Sequence, residues 1–424
     1  MRRRPRRWVA AVLVGALVTT GCQVRSVVHD GPVRLAWRPA ALPIPAGASR
    51  AVLRDLVSCA GRWFLVGGLV DAAGGTSPAA WDSPDGRSWH PVPIDVVSFY
   101  GRQSVLYAVG CRAGRPAAVA AKTGGSHGNP RIVGFRPVGG DPAGGPAGGA
   151  TAGDRLVEVT TPVRGGDAPG EADLTRIAGG PGGWVIAGSR TAGATTWWSA
   201  DATAFDGAVL PEKVLPPDGA EVSGGATVSG GADAPVGGRS RAFDVVATAA
   251  GWLAVGVGHR RGDIDPVPAA WTSVDGRGWR PAPVPVGGDS GQLERVALVR
   301  GRPVAVGPRD DGFGVWRGGP PGADWVPSAG FPVTAGGGVP TVRGLAVVAG
   351  RLVAATSDGG GHALWISDGD GANWRPVAGP AGPLPAGGGD RRVVLAGAGD
   401  ALVAAIDDGA RADLWWSPVP DHDP

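Results

Sequence analysis

Residues 252–281 read WLAVGVGHRRGDIDPVPAAWTSVDGRGWRP, and this stretch contains the unit from which most of the chain is built. It begins with an apolar run that ends in small residues and continues through a polar loop to a short strand marked by Trp271. It then turns at Asp275-Gly276 into Trp279-Arg-Pro. Because Gly, Pro or Asp bounds each short apolar run, the pattern favours strands joined by tight turns over helices. The stretch therefore predicts three consecutive antiparallel strands.

The same unit recurs seven times. The apolar runs begin at Trp63, Val105, Trp184, Trp252, Pro303, Leu352 and Leu402. The strands that follow are marked by Trp81, Val119, Trp197, Trp271, Trp316, Trp365 and Trp415. Six units continue into an aromatic residue, often followed by x-Pro: Trp89, Phe135, Phe205, Trp279, Trp325 and Trp374. A less regular apolar stretch, such as Leu53–Val57 or Val393–Ala396, precedes each unit. Four short strands per unit are typical of propeller blades.

The last unit lacks its fourth strand, because it stops shortly after Trp416. Residues 35–39 read Leu-Ala-Trp-Arg-Pro and have the missing aromatic-x-Pro form. An N-terminal strand that completes the last blade would close the ring and remove an open sheet edge. We therefore predict an all-β fold, a seven-bladed β-propeller of four-stranded antiparallel blades over residues 33–420. Six or eight blades are the alternatives, since residues 156–160 could form an extra strand.

Three turns between third and fourth strands share a Ser, an adjacent Asp-Gly pair and a Trp. They are Ser83, Asp85, Gly86 and Trp89; Ser273, Asp275, Gly276 and Trp279; and, more loosely, Ser367, Asp370, Gly371 and Trp374. These turns resemble the Asp-box (BNR) repeats of sialidase-type and sortilin-type propellers, in which one residue separates the Asp from the Gly. In such a turn the Asp accepts bonds from backbone amides and the Gly adopts the left-handed conformation. The resemblance supports the fold and gives these turns a structural role.

Residues 1–21 have the composition of an export signal. The first seven residues carry five arginines, and the apolar stretch Trp8–Thr20 is short for a membrane span but suits a signal-peptide core. The stretch leads to Gly-Cys22 and resembles the lipobox of bacterial lipoproteins, although Thr19 stands where that family usually has Leu, Val or Ile. The resemblance implies lipidation of Cys22 and a tether over residues 22–32. We thus expect an exported chain, anchored to the outer face of the bacterial cytoplasmic membrane.

The net charge of the chain excludes a general nucleic-acid binder. The chain has 40 Lys and Arg against 37 Asp and Glu, but five of the cations lie in the export signal. The part from Cys22 onward is near neutral and lacks the net positive charge of a nucleic-acid footprint. We predict no nucleic-acid partner, and contact with the membrane through the lipid anchor only.

Residue patterns of known catalytic and metal sites are missing from the sequence. No His-x-His, Cys-x-x-Cys or Gly-x-x-x-x-Gly-Lys string occurs, so we predict no metal, no cofactor and no catalytic residue. The sialidase resemblance would imply an arginine triad, a Tyr/Glu pair and an Asp acid. The chain has 2 tyrosines, however, and Tyr107 lies in an apolar strand where packing is the expected role.

Cys59 and Cys111 form a candidate disulfide, because an even number of cysteines remains in an oxidising compartment once Cys22 is set aside. The predicted strands place Cys59 near the end of one strand and Cys111 towards the opposite edge of the next sheet. Since a disulfide needs Cα atoms within about 7 Å, the pairing stays open at this point.

Chain direction alternates from strand to strand, so loops of two kinds share each face of the ring. Second-to-third loops and blade-to-blade connections form what we call the connection face; third-to-fourth turns form the turn face. Gly-rich insertions over 139–172 and 207–241 are predicted to be blade-to-blade connections. Charged loop residues make the connection face the candidate binding face. They are Arg190, His259, Arg260, Arg261, Asp263, Asp265, Arg309, Asp310, Asp311, Asp358, His362, Asp407 and Asp408.

These features predict a lipid-anchored, extracytoplasmic propeller that acts as a protein-binding or scaffold module of the cell envelope. A glycan or cell-wall polymer is the alternative ligand, and a sialidase-like carbohydrate-active enzyme is the alternative class. An enzyme predicts a carboxylate pair, or an arginine cluster beside a Tyr, at the channel mouth. A scaffold predicts an apolar patch with mixed charges on its rim.

Overall fold

The computed structural model describes residues 31–124, 130–138, 155–160, 162–164, 172–211, 240–259, 264–320, 323–333, 337–388 and 390–420. These residues form seven antiparallel sheets arranged as blades in a ring, which confirms the predicted seven-bladed β-propeller. The predicted export signal and Cys22 lie outside these ranges. Within them, no helix is long and apolar enough to span a bilayer.

Each blade runs from an innermost strand at the central channel to an outermost strand at the rim. The first strand of the chain, β1 (Arg38–Ala40), is the outermost strand of blade 7. Blade 1 consists of β2 (Ala48–Cys59), β3 (Arg62–Asp71), β4 (Thr76–Ser83) and β5 (His90–Pro91). The chain then forms β6 (Ile94–Asp95) and α1 (Phe99–Gln103). Blade 2 consists of β7 (Val105–Arg112), β8 (Arg115–Lys122), β9 (Arg131–Val138) and β10 (Arg155–Val159), with β6 as a parallel edge.

The remaining blades follow the same order. After β11 (Val163–Arg164), a parallel edge of blade 3, that blade consists of β12 (Asp173–Gly180), β13 (Gly183–Arg190), β14 (Gly193–Ser199) and β15 (Phe205–Val209). Blade 4 has β16 (Arg241–Thr248), β17 (Gly251–His259), β18 (Pro266–Ser273) and β19 (Trp279–Ala282). Blade 5 has β20 (Arg295–Val299), β21 (Arg302–Arg309), β22 (Gly312–Gly319) and β23 (Ala323–Pro332). Blade 6 has β24 (Thr341–Val348), β25 (Arg351–Ser357), β26 (His362–Asp368) and β27 (Ala372–Val377). Blade 7 has β28 (Arg392–Ala398), β29 (Ala401–Asp407) and β30 (Ala412–Pro418).

The ring is closed by the N-terminal segment, as the sequence predicts. Strand β1 pairs antiparallel with β30 and completes blade 7. The segment before β1 also binds blade 6: the Val33 N–H donates to Pro376 O at 2.8 Å, and the Ala378 N–H donates to Val33 O at 2.9 Å. The Trp37 indole N–H adds a bond of 3.1 Å to Ala378 O. The N-terminal segment therefore fastens two neighbouring blades.

Blade 2 departs from the sequence interpretation by one strand. The apolar run at Val105 is predicted as a second strand, but it forms the innermost strand β7. Val119 and Phe135 accordingly lie in the second and third strands, and residues 156–159 form most of the fourth strand rather than an extra one. The interpretation was wrong because blade 2 lacks the tryptophans that mark strand positions in the other blades.

This shift also changes the assignment of one insertion. Residues 139–172 were expected to form a single blade-to-blade connection, but β10 interrupts them. Residues 139–154 instead join β9 to β10, whose facing ends lie on the turn face, and residues 160–172 lead to blade 3. The insertion predicted over 207–241 joins blade 3 to blade 4, but residues 207–209 belong to β15 and Arg241 begins β16.

The corrected position of β7 brings Cys59 and Cys111 together. Both cysteines lie near the turn-face ends of adjacent innermost strands, with their Cα atoms 6.1 Å apart, and they form a disulfide. The bond joins blade 1 to blade 2 at the wall of the channel.

Tryptophan side chains fill the spaces between the blades. Trp81, Trp197 and Trp316 are among the largest fully buried side chains of the described residues. The apolar clusters combine residues of neighbouring blades, and Trp81 of blade 1 shares one with Val403 of blade 7. Aromatic burial of this kind is the main attraction between adjacent sheets.

The Ser-x-Asp-Gly turn of blade 4 locks this blade onto blade 3. Ser273 Oγ accepts from the Gly276 N–H at 2.9 Å, and Asp275 Oδ1 accepts from the next two amides at 2.9 Å each. The Arg277 guanidinium then lies 3.6 Å from the ring centroid of Trp198 in blade 3. A cation held over an indole ring is attracted by the negative face of the ring.

The other two turns differ in how closely they repeat this arrangement. The turn at Ser83 has the same bonds, and Arg87 lies 3.7 Å from the ring centroid of Trp416 in blade 7. The looser turn keeps a left-handed glycine, since Gly371 has φ +98°, but Ser367 Oγ accepts from a strand amide instead of a turn amide.

Gly276→Ala is expected to lower the free energy of unfolding by about 3 kcal/mol, from left-handed backbone strain plus overpacking. Gly276 has φ +79°, and a Cβ there would lie 2.6 Å from Trp198 Cδ1. In the matched control Gly278→Ala, the nearest atom would be Asp275 Oδ1 at 3.9 Å, so the change should stay below about 0.5 kcal/mol. Denaturant unfolding followed by Trp fluorescence measures both, and equal losses would contradict the packing argument.

Candidate anion-binding channel

Most of the acids predicted for the binding face bond to the backbone around them. Asp358 and Asp408 each accept two amide N–H groups of their own loops, at 2.7 to 2.9 Å. Asp310 accepts two amides of a neighbouring loop at 3.0 and 3.1 Å. These carboxylates stabilise turns, and such short-range bonds are the usual role of Asp beside Gly.

The other predicted residues are dispersed around the connection face. Arg190 and Arg309 lie over the rings of Trp197 and Trp316, at 5.4 and 5.7 Å from the ring centroids. His362 bonds through Nδ1 to a backbone carbonyl at 2.9 Å, and burial lowers its pKa. Of the other predicted residues, His259 is half-buried, and Asp265 and Asp311 are exposed. Three more lie outside the described residues: Arg260, Arg261 and Asp263. Asp407 pairs with Arg54, a residue that lines the channel.

Charge is concentrated instead on the innermost strands. Five of these strands contain a bulge close to the connection face, which leaves one residue out of the ladder. The bulged residues are Arg54, Tyr107, Thr175, Phe243 and Arg343. A β-bulge turns its side chain away from the regular alternation of the strand, and bulges are over-represented beside binding sites. These bulges lie in blades 1, 2, 3, 4 and 6, and Arg54, Tyr107, Thr175 and Arg343 line the channel cavity.

The channel mouth is a cavity of about 370 Å³ with an arginine-rich wall. Among the described residues, five arginines from five blades line it: Arg54, Arg176, Arg295, Arg343 and Arg392. The carboxylates of its wall are Asp55 and Asp173, and Tyr107 is the aromatic residue. The lining thus carries five positive groups against two negative ones.

Two of the arginines are neutralised by neighbouring carboxylates. Arg176 bonds to Asp55 at 2.5 Å and lies 3.5 Å from Asp244. The attraction of these two carboxylates outweighs the opposing effect of burial and raises the pKa of Arg176. Arg54 forms an ion pair of 2.9 Å with Asp407.

Arg295, Arg343 and Arg392 make up the rest of the arginine lining. The Nε atoms of Arg295 and Arg343 are buried, and neither has a hydrogen-bond partner within the described residues. Burial and the nearby Arg176 lower the pKa of Arg295. Burial, Arg343 and Arg54 likewise lower the pKa of Arg392. Guanidinium groups that repel one another inside a cavity favour an anionic ligand, since a carboxylate or phosphate can bond to two of them at once.

The acids nearest these arginines are committed to contacts between blades. Asp55 accepts the Val109 N–H at 2.8 Å, and Asp244 accepts the Val296 N–H at 3.0 Å. Glu294 accepts an amide of blade 6, and burial raises its pKa to about 7, so it carries less than a full charge near neutral pH. Each acid thus fastens its blade to the next one.

Tyr107 is the tyrosine of the channel lining. Burial, together with the negative charge of Asp173, raises the pKa of Tyr107, so its phenol keeps its proton and can donate a hydrogen bond to a ligand. The described part of the chain contains no group of three His, Cys, Asp or Glu able to hold a metal ion.

The sequence contained a signal for the channel arginines, but the predicted binding face was based on the charged residues of the loops instead. An Arg occurs near the start of several of the apolar stretches that precede the repeat units. Arg54 and Arg343 are bulged residues of their strands, whereas Arg176 and Arg295 are paired with Ala187 and Val306 in the ladder. A lone cation inside a short apolar strand is costly unless it faces water or a charge. A charged residue inside several apolar innermost strands is therefore the signal for the channel that the sequence contained.

Comparisons with known proteins identify similar folds and no family. No family model matches the chain, and no curated protein matches it. The chain is similar to puromycin hydrolase, with 13% sequence identity over an alignment that covers 90% of this chain and 56% of that chain and a TM-score of 0.47. It is also similar to the β-propeller domain of the Trilobed protease from Pyrococcus furiosus, with 9% sequence identity over 89% of this chain and 97% of that chain and a TM-score of 0.43. A Hadza microbial sialidase is similar at 12% sequence identity over 88% of this chain and 66% of that chain, with a TM-score of 0.43. The chain spans about half the length of the puromycin hydrolase, and identities this low indicate a common fold alone.

Proposed function

We propose that this protein is an exported, lipid-anchored propeller that binds a carboxylate-bearing glycan or cell-wall polymer of the envelope in its arginine-lined channel. The observation that carries the proposal is the excess of arginine over carboxylate in the cavity. A cavity of about 370 Å³ has room for about one sugar unit, at the lower end of small-ligand sites. A folded protein surface could not enter it.

The channel contains part of the site expected for the sialidase-like alternative. An arginine cluster beside a Tyr is what such an enzyme would present, and Tyr107 lines the same cavity as the five arginines. The raised pKa of Tyr107 opposes its use as a nucleophile. We therefore propose binding without hydrolysis, in which the arginines select the charge of the ligand.

The disulfide and the N-terminal sequence support export. Disulfides are formed and kept in oxidising compartments, and Cys59–Cys111 joins two blades. Labelling with a radioactive lipid precursor in a bacterial host should mark the wild type and spare Cys22→Ala. If both forms are labelled equally, or neither is labelled, the anchor is excluded.

Removal of two channel arginines tests the proposed site directly. We expect Arg343→Gln/Arg392→Gln to weaken binding of oligoglucuronate by about 100-fold, because charge-assisted hydrogen bonds contribute about 1.5–3 kcal/mol each and 1.4 kcal/mol is tenfold. The stability of this variant should not fall, since the two guanidiniums repel each other. Isothermal titration calorimetry measures the affinity, and thermal unfolding checks the fold.

Two controls give the result its meaning. Arg280→Gln changes an exposed arginine of β19 and should leave the affinity unchanged. The methyl ester of the same oligosaccharide removes the carboxylates and should bind neither form. Equal affinity of the wild type and the double variant for oligoglucuronate, or tight binding of the ester, would contradict the proposal.

A further inference from the structure

An exposed apolar patch lies beside α1, on the connection between blades 1 and 2. Val97, Phe99 and Tyr100 are 64%, 61% and 38% exposed, in contrast to the buried aromatic residues between the blades. The rings of Phe99 and Tyr100 meet edge to face, with their centroids 5.5 Å apart. We call residues 97–102 the α1 patch.

The α1 patch is held rigidly by a buried carboxylate. Glu158 of β10 is 7% exposed, and it accepts the N–H groups of Val97 and Ser98 at 2.6 and 2.9 Å as well as the Ser98 hydroxyl. Ser98 Oγ in turn accepts the Gly101 N–H at 2.8 Å and caps α1. A Cβ at Gly101 would collide with the Glu158 carboxylate, so only glycine permits this close approach. The aromatic side chains are therefore exposed by a fixed backbone.

The rim of the α1 patch is positively charged. Arg102 is exposed, and the Arg131 guanidinium lies 5.6 Å from the ring centroid of Tyr100. Lys122 stands directly opposite Arg131 in the β8–β9 ladder and adds a further cation to this rim. The acid beneath the patch, Glu158, is buried and occupied by its three donors.

We infer that the α1 patch docks a protein segment in which apolar side chains are flanked by Asp or Glu. Exposed aromatic rings with Arg beside them are typical of interface centres, and a rigid loop binds with little loss of conformational entropy. A bilayer is the less suitable occupant: α1 has five residues and offers three apolar side chains, far below an interfacial amphipathic helix. The inference gives the protein-binding role expected from the sequence a surface separate from the channel, and it extends the proposed function without requiring the glycan.

A peptide selection tests this inference. Random 12-residue peptides displayed on phage are selected for binding to the wild-type chain. Peptides that also bind the variant Val97→Ser/Phe99→Ser are then removed. Both substitutions are at exposed positions, so the variant is expected to fold normally. We expect enriched sequences that combine aromatic or aliphatic residues with Asp or Glu. Synthetic copies should bind the wild type at least tenfold tighter than the variant, lose affinity at high salt and lose it again with Arg102→Glu.

The controls separate the alternatives. Val274→Ser alters a residue that is 86% exposed on the turn face and should bind the peptides as the wild type does. Arg343→Gln/Arg392→Gln should also bind the peptides normally. The proposed ligand site in the channel and the inferred peptide site on the α1 patch are therefore tested independently. The inference is overturned if no peptide depends on Phe99, if the selected peptides lack acidic residues, or if phosphatidylglycerol vesicles bind through Phe99 while peptides do not.

Discussion

Replacing Arg176 with methionine is expected to lower the free energy of unfolding by about 3–5 kcal/mol, as removal of one partner from a buried ion pair does. Arg176 belongs to blade 3, and its guanidinium binds Asp55 of blade 1 and Asp244 of blade 4. The two carboxylate side chains are 5% and 9% exposed, so the variant leaves two negative charges buried without their main counter-ion. Urea unfolding followed by Trp fluorescence measures the loss.

A second set of variants separates charge from packing. Arg280→Met removes an exposed arginine and should change stability by less than about 0.5 kcal/mol. Adding Asp55→Asn and Asp244→Asn to Arg176→Met should restore part of the loss, because an amide costs less to bury than a carboxylate and still accepts the amide bond between blades. If Arg176→Met alone costs below about 1 kcal/mol, the neighbouring arginines neutralise both acids and Arg176 is not their main counter-ion.

Deleting the closing strand is the second change with a large expected effect. A chain that begins at Pro43 loses β1 and the apolar contacts of Val33, Leu35 and Trp37 with the cluster between blades 6 and 7. Three partly buried apolar side chains and their hydrogen bonds together contribute on the order of 5 kcal/mol. The deletion also exposes the edge of β30 to pairing with other chains. Thermal unfolding and light scattering measure the two effects.

The comparison is a chain that begins at Gly31 and keeps the closing segment. A synthetic peptide of residues 31–42 should restore the stability of the shortened chain when it is added in excess. Equal melting temperatures of the two chains, or a peptide without effect on a destabilised chain, would show that β1 does not hold the ring closed.

The fold was predictable because its repeat is marked at the level of single residues. Trp at the third strand and aromatic-x-Pro at the fourth gave the blade count, and the displaced residues 35–39 gave the closure. Blade 2 was misread by one strand because apolar alternation alone does not distinguish a first strand from a second when no Trp marks the position. That error also separated Cys59 from Cys111, although the structure joins them.

The candidate site was less predictable than the fold. Loop charges such as Asp358 and Asp408 were visible, but their bonds to nearby amides are local and say nothing about ligands. The channel arginines come from five blades and meet only when the ring closes. Bulges at positions such as Arg54 and Arg343 then decide which side chains enter the channel, and a bulge has no clear sequence signal unless aligned strands are compared.

The closing strand also fixes the order in which this chain can reach its native state. Residues 33–40 are synthesised before any blade, yet Arg38 pairs with Trp416, which is synthesised after the first six blades. During translation, and during passage through a membrane if the chain is exported, this segment has no pairing partner until blade 7 forms. The segment contains Arg34, Arg38 and Pro39, and charges and prolines of this kind discourage pairing with foreign strands. Ring closure is therefore expected to be a late, slow event with the highest loop-closure cost of the fold.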